Sequence, residues 1–430
     1  MNTVVAGAVR TASRYRWTVC ALLFFATVIN YMDRQILGLL APMLQHDIGW
    51  TQVQYGRIVI AFSAFYAIGL LCFGRIVDWL GTRISYALAM FVWSIAAMLH
   101  AAVGSVMGFA MVRALLGIGE GGNFPAAIKT TAEWFPRRER ALATGIFNSG
   151  ANIGAVFAPA LIPALAVAFG WRSAFVMVGA IGLVWLVVWF VMYRQPDGRA
   201  HDDEIADEGD ETNAADAAAH AKAGAPGFKE LIKKRETWAF IVGKFLTDPV
   251  WWFYLFWLPK WLNESRGMDM QHIGLPLVVI YAITTIGSIG GGWVSSALLR
   301  AGWTVNAARK TAMLICACAV LPIAFVSQAE NLWVAVAIVG LAAAAHQGWS
   351  ANLFTTASDL FPRRAVGAVV GIGGMAGSIG GVLFSEVIGQ VLQRTGHYWV
   401  LFAIGASAYL IAFAIMHMLT PKMKPAKLAA

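Results

Sequence analysis

Charge is what this sequence lacks. Asp, Glu, Lys and Arg make up 13% of its 430 residues, about half the share found in ordinary soluble domains. Hydrophobic residues reach 59%, and the mean hydropathy is +0.65. A water-soluble core is excluded. Cysteine is scarce too: Cys20, Cys72, Cys316 and Cys318 are the full set, all in or beside apolar runs. Cys316 and Cys318 are two positions apart, so on a helix they do not face each other. Packing is their expected role, with no disulfide and no metal site. Zinc-ligand spacing, a nucleophile elbow and a phosphate loop are all missing, so an enzyme and a cofactor are not expected.

What is present is a series of long apolar runs, among them 17–40, 175–192 and 311–326. About 20 apolar residues suffice for a helix to cross a bilayer. Basic residues fall in alternate short loops. Arg10, Arg14 and Arg16 open the series, followed by Arg75 and Arg83, then Arg137, Arg138 and Arg140. Lys229, Lys233, Lys234 and Arg235 continue it, then Arg300, Arg309 and Lys310, then Arg363 and Arg364, then Lys422, Lys424 and Lys427. The intervening loops carry fewer cations, with His46 and Asp47, then Glu264, Arg266 and Asp269, then Glu330, then Arg394 and His397. This positive-inside pattern predicts an all-α membrane protein of about twelve spans with both termini cytoplasmic; the expected location is a bacterial inner (cytoplasmic) membrane. The net charge of +9 therefore reflects loop placement and not a nucleic-acid surface. No small-residue cleavage site follows the first apolar run, which reads as a retained first helix.

The stretch 195–235 breaks the pattern. It opens acidic (Asp202, Asp203, Glu204, Asp207, Glu208, Asp210, Glu211), turns Ala-rich and ends basic. It reads as a mobile cytoplasmic linker between six-helix bundles at 1–194 and 236–430. The bundles repeat. Glu133-Trp-Phe-Pro-Arg-Arg aligns with Asp359-Leu-Phe-Pro-Arg-Arg at an offset of 226 (359 − 133), and Gly154 falls on Gly380 at the same offset. Parallel duplication of a six-helix unit is a transporter architecture, with the substrate site near the midplane between halves. After the second span comes Gly74-Arg-Ile-Val-Asp78-Trp-Leu-Gly81-Thr-Arg83. Its glycines permit close helix approach, and Asp78 can hold a helix N-terminus or a cation. Gly74, Asp78, Gly81 and Arg83 are therefore expected to gate and not to touch substrate. The second-half counterpart, 291–300, has Ser295 in place of the aspartate, which predicts a weaker latch.

Asp33 and Arg34 lie within one apolar run, and Arg113 and Glu120 within another. Charges at membrane depth are costly and normally face a partner or a wet cavity. At 1.5 Å per residue, Asp33 lies ~24 Å from Trp17, Arg113 lies ~12 Å from Ser105, and Glu120 ~22 Å from it. Asp33, Arg34 and Arg113 are then expected in one layer, with Asp33 and Arg113 paired and Glu120 deeper, without a counterion in its own helix. Arginine keeps its charge and offers a planar fork that fits a carboxylate. Arg34 and Arg113 thus suit an anionic substrate. A carboxylate in a partly dry cavity can take up and release a proton near neutral pH, which suits Glu120 and Asp33 to proton coupling. The competing reading is a static salt-bridge network that only orders helices.

Lys244 adds a cation to the seventh span, either at the substrate or snorkelling to the interface. Pro249 is expected to break that helix beside the cavity. Tyr31, Tyr66, Asn148, His346, Gln347 and Asn352 are polar groups in apolar runs; together they suit a hydroxylated solute, and each alone fits a helix–helix contact. His346 takes the place of Glu120 at the repeat offset, so proton coupling is expected to concentrate in the first half. Tryptophans and phenylalanines serve mainly as packing and interfacial belt residues.

Several motifs carry a family resemblance. They are Asn30-Tyr-Met-Asp-Arg-Gln35, Arg113-Ala-Leu-Leu-Gly-Ile-Gly-Glu-Gly-Gly-Asn-Phe-Pro125, Glu133-Trp-Phe-Pro, Phe147-Asn-Ser-Gly-Ala-Asn-Ile-Gly154, Asp248-Pro-Val-Trp-Trp252 and Ala345-His-Gln347. With the Gly74–Arg83 loop they resemble the anion:cation symporter family of the major facilitator superfamily, in its hexuronate and aldonate branch. The resemblance implies the major facilitator fold, no cofactor, a monomer in lipid, and uptake of a sugar acid with protons as the coupling ion. It implies carboxylate binding by Arg34 with Tyr31 and Tyr66 nearby, coupling by Asp33 and Glu120, and Arg113 as switch partner; Trp252 is a further substrate-binding candidate. Lys244, and Gly374 where aldonate transporters carry a polar residue, lean toward hexuronates such as galacturonate or glucuronate. Aldonate, aldarate or other organic-anion symport is the alternative. A proton-driven drug exporter is disfavoured, because Arg34, Arg113 and Lys244 offset Asp33 and Glu120.

Overall fold

The computed structural model describes residues 2–195, 226–268 and 274–428. Residues 202–211 of the acidic stretch, and Asp269, lie outside the described residues, as do the side chains of Arg10, Arg14 and Glu264. Among the described residues the secondary structure is helical, without strands.

The first half comprises α1 (Asn2–Leu39), α2 (Ala41–Ile48), α3 (Gln52–Leu80), α4 (Thr82–Leu99), α5 (Val106–Glu120), α6 (Asn123–Trp134), α7 (Arg137–Phe169) and α8 (Trp171–Met192). The second comprises α9 (Phe228–Ile232), α10 (Arg235–Arg266), α11 (Gly274–Arg300), α12 (Val305–Val320), α13 (Leu332–Leu360), α14 (Arg363–Thr395) and α15 (Trp399–Leu419). Ten of the described helices are long and apolar enough to cross a membrane. The pair α5–α6 and the helix α10 complete about twelve passes. These two carry the midspan charges Arg113, Glu120, Lys244 and Asp248. Outer faces stay apolar where they are exposed, as at Ile60, Val167, Val191 and Ile286, as lipid surroundings require.

Local sequence sets the helix ends. Thr51 and Gln54 form a reciprocal capping box at α3, and Ser105 accepts from the Gly108 amide at the start of α5. Gly81 joins α3 to α4 at φ 77°, ψ 167°, a region essentially reserved for glycine. The duplication is visible in the elements. Pro136 and Pro362 precede α7 and α14, and α14 begins and ends 226 residues after α7 (363 − 137; 395 − 169). One asymmetry stands out: α13 is continuous, whereas its counterpart breaks at Gly121-Gly122 into α5 and α6.

The halves meet along α3–α14 and α7–α11. Backbones touch there through glycine. A Cβ on Gly371 would lie 2.3 Å from the Leu70 carbonyl oxygen, and one on Gly145 would lie 2.3 Å from that of Ser288. Gly371→Val is therefore expected to wedge α3 from α14 and reduce transport at least tenfold; accessibility of a cysteine placed beside Leu70 should rise in parallel.

The end of the bundle bearing the basic loops is bolted across both seams. Asp78 accepts from the Gly367 and Ala368 amides (3.1 and 2.7 Å) in the second turn of α14, and Lys129 Nζ lies 3.0 Å from it. Arg83 instead donates to the Phe190 carbonyl of α8 (3.1 Å), bracing its own half. At the opposite seam Ser295 was expected to leave a weaker latch. Ser295 accepts from Arg309 (2.6 Å), which also binds Asp359 (2.8 Å) and donates to the Arg137 carbonyl (2.8 Å). Arg140 donates to the Ser358 carbonyl (2.9 Å). Two arginines around Asp359 thus supply the link that a single aspartate supplies at the first seam, and this latch is not the weaker by number of partners.

Candidate functional site

A cavity of about 60 Å³ lies between the halves, room for several water molecules. The first half contributes Tyr31, Arg34, Tyr66, Phe124 and Asn148 to its wall, and the second contributes Lys244, Asp248, Trp252, His346 and Gln347. On the side toward the basic end, Phe124 stacks on Phe354 with ring centroids 5.2 Å apart. Asn148 donates to Gln347 (2.5 Å), joining α7 to α13 across the seam.

Arg34 dominates the first-half wall. Its Nε donates to Glu120 Oε2 at 2.8 Å, and its Nη2 to Asn30 at 3.3 Å. The guanidinium carbon lies 4.6 Å from the Tyr66 ring centroid and 4.8 Å from that of Tyr31, with Phe62 and Trp252 further out. These rings favour the cation and fix its plane. One edge of the fork is thus anchored in protein while Arg34 remains part of the cavity wall. Glu120 is fully buried behind it, and its other oxygen, Oε1, has no hydrogen-bond partner among the described residues. Glu120 was expected without a counterion in its own helix; its ion-pair partner is Arg34, which reaches it from α1.

The expected Asp33–Arg113 pair does not form. Arg113 donates to the Arg34 carbonyl (3.3 and 3.5 Å), and both Asp33 carboxylate oxygens lack a hydrogen-bond partner among the described residues. Asp33 and Arg34 point about 100° apart around α1, so Asp33 is buried behind the wall that Arg34 lines. Arg113 is likewise not a wall residue; it supports the backbone carrying Arg34.

In the second half, Lys244 does not snorkel. It is buried, pairs with Asp248 at 2.7 Å, and its Nζ lies 4.1 Å from the Phe354 ring centroid. His346 stacks on Trp251 (5.2 Å, 5°) and meets the Tyr409 hydroxyl at 2.6 Å. Asn352 is not in the wall; it donates to the Gly291 and Gly348 carbonyls and ties α13 to α11. Pro249 does not end its helix either. Helix α10 is continuous. Proline leaves the carbonyl four residues earlier, that of Phe245, without its helical donor, and this oxygen packs where a Cβ on Gly380 would lie only 2.6 Å away. Sequence reasoning did not assign Asp248, Ser350, Phe354 or Ser378 to the wall. The Lys244–Asp248 spacing of four residues was a signal for the first of these.

A duplicated bundle of membrane-spanning helices closed around a polar cavity defines a membrane transporter and not an enzyme. The profile of the Major Facilitator Superfamily matches residues 23–385, and the chain belongs to that family. It is 31% identical over 395 residues to the "Hexuronate transporter" of Escherichia coli, covering 90% of each chain. It is 28% identical over 411 residues to a "D-galactonate transporter" of Escherichia coli (93% of this chain, 95% of that one). To the "Galacturonate transporter" of Dickeya chrysanthemi it is 30% identical over 285 residues, covering 65% and 81%. These relatives form the hexuronate and aldonate branch anticipated from the Asn30–Gln35 and Arg113–Pro125 motifs. Among solved structures, the proton:xylose symporter XylE bound to 6-bromo-6-deoxy-D-glucose superposes with a TM-score of 0.77 at 16% identity (96% and 97% covered). The transporter FucP in its outward conformation gives 0.73 at 16% identity (94% and 99%). Both show the fold.

Proposed function

We propose that the protein imports a sugar acid, foremost a hexuronate such as galacturonate or glucuronate, by proton symport with alternating access. The observation that carries this reading is Arg34, a permanent cation in the cavity wall with its Nε held by Glu120 and its plane set by Tyr31 and Tyr66. Such a fork fits a carboxylate. Asn148, Gln347 and His346 around the same cavity suit sugar hydroxyls. Lys244 in the wall and a bare Gly374 support a hexuronate over an aldonate.

Protons serve as the coupling ion, and Glu120 and Asp33 are the carriers. Both are buried behind the wall, and Glu120 competes directly for Arg34. Protonating Glu120 weakens its hold on the guanidinium and frees the fork for a carboxylate, so proton and substrate binding favour each other. The bolts at the basic end favour loading from the opposite side. With the basic loops in the cytoplasm, that side faces outward across the inner membrane, and transport is uptake by a single chain.

Labelled galacturonate and a proton gradient across proteoliposomes test the reading. Accumulation that collapses with a protonophore is expected. No uptake, alongside proton-driven efflux of a cationic dye, would favour an exporter.

A further inference from the structure

An acidic side chain in the wall of a cavity built for an anion works against its own cargo. Asp248 is such a side chain. It lies one helical turn from Lys244 on α10, with Oδ2 2.7 Å from Nζ. The fold makes room for it: a Cβ on Gly377 of α14 would lie 2.2 Å from Asp248 Oδ2. The first-half counterpart of Gly377 at the repeat offset is Ala151 (377 − 226), so this recess is specific to the second half.

We infer that Asp248 sets the charge of the cargo: by neutralising Lys244 it matches the cavity to sugar acids with one carboxylate and disfavours diacids. This rests on the sugar-acid reading above.

The argument is one of charge balance. Around and directly behind the cavity, the described cations are Arg34, Arg113 and Lys244, and the described anions are Asp33, Glu120 and Asp248. Three of each leave the site neutral. The other titratable groups near Asp248 are Tyr31 of α1, Tyr66 of α3, His346 of α13 and Tyr409 of α15, with His346 held between Trp251 and the Tyr409 hydroxyl. One carboxylate entering with one proton keeps the site neutral. A diacid entering with one proton leaves an uncompensated negative charge away from bulk water, where such a charge is costly. Asp248 thereby discriminates by repulsion while Arg34 attracts, the division of labour by which selective sites reject near-cognate ligands. Without its negative charge, Lys244 becomes an uncompensated cation facing Arg34 across the cavity, and a diacid with one proton is balanced.

Competition for labelled galacturonate uptake tests this, with unlabelled galacturonate and the diacid galactarate as competitors. In the wild type, galactarate is expected to compete at least tenfold less well. Asp248→Asn should move the ratio toward galactarate by at least tenfold, and Lys244→Gln/Asp248→Asn, neutral again, should restore the preference for the mono-acid. Equal competition in the wild type overturns the inference, whatever the variants do. So does an unchanged ratio in an Asp248→Asn protein that still transports. If Asp248→Asn is inert, the wild type and the double variant decide. Failure of the wild type to take up either acid rejects the sugar-acid reading itself, a result distinct from equal use of both.

Discussion

Arg34→Ala is expected to abolish sugar-acid binding, with affinity falling about 100-fold or more, the scale on which a buried charge pair responds to loss of one partner. The loss is twofold in origin. The carboxylate fork disappears, and Glu120, which Arg34 holds at 2.8 Å, is left buried without its counterion. Arg34→Lys separates the two effects: it keeps a charge for Glu120 but cannot form the planar, two-pronged contact. Its affinity should fall between those of the wild type and the alanine variant. Isothermal titration with galacturonate provides the measurement. Normal affinity in Arg34→Ala would remove Arg34 from the site.

Glu120→Gln carries the second large effect. Glutamine keeps an oxygen for Arg34 Nε but has no proton to exchange. Uphill accumulation should vanish, with the inside-to-outside ratio falling to unity, while exchange of labelled for unlabelled acid persists. The charge balance explains why exchange survives: the variant resembles the permanently protonated state, in which Arg34 is free to hold a carboxylate. Uphill uptake at the wild-type ratio would end the coupling role of Glu120. Asp33→Asn is the informative comparison. Asp33 lacks the direct contact with Arg34 that Glu120 makes, so its loss should impair coupling without the same effect on affinity.

The sequence made the architecture legible because membrane spanning writes itself in composition. Apolar runs, alternating basic loops and the 226-residue repeat each follow from the bilayer's demand for helices with satisfied backbones. The loop aspartate was legible too: glycines at 74 and 81 frame Asp78, and it accepts from two amides in the second turn of α14. The pairing of the midspan charges was not. Depth along a helix follows from counting residues, but the direction a side chain faces depends on neighbouring helices far away in sequence. Arg34 and Glu120 are 86 positions apart, and the depth count placed Arg34 in one layer with Asp33 and Arg113 and set Glu120 deeper. Pro249 misled for a related reason. A proline inside a packed membrane helix can leave its freed carbonyl against a glycine of the next helix, here Gly380, without ending the helix. Asp248 was visible as part of a motif, yet its place in the wall required α14 to be laid against α10.

The most direct test of the central claim, that Arg34 makes this cavity an anion site for sugar acids, is a thermal-shift comparison on the purified protein. Galacturonate, glucuronate, galactonate and glucarate would be set beside neutral galactose and glucose, at acidic and at neutral pH. Ligand at 100 times its dissociation constant adds about 2.7 kcal/mol to stability, enough for a clear shift. The account predicts stabilisation by a hexuronate, larger at acidic pH and absent for the matching neutral sugar. Stabilisation by neutral sugars as strongly as by their acids, or by none of the compounds, would contradict it.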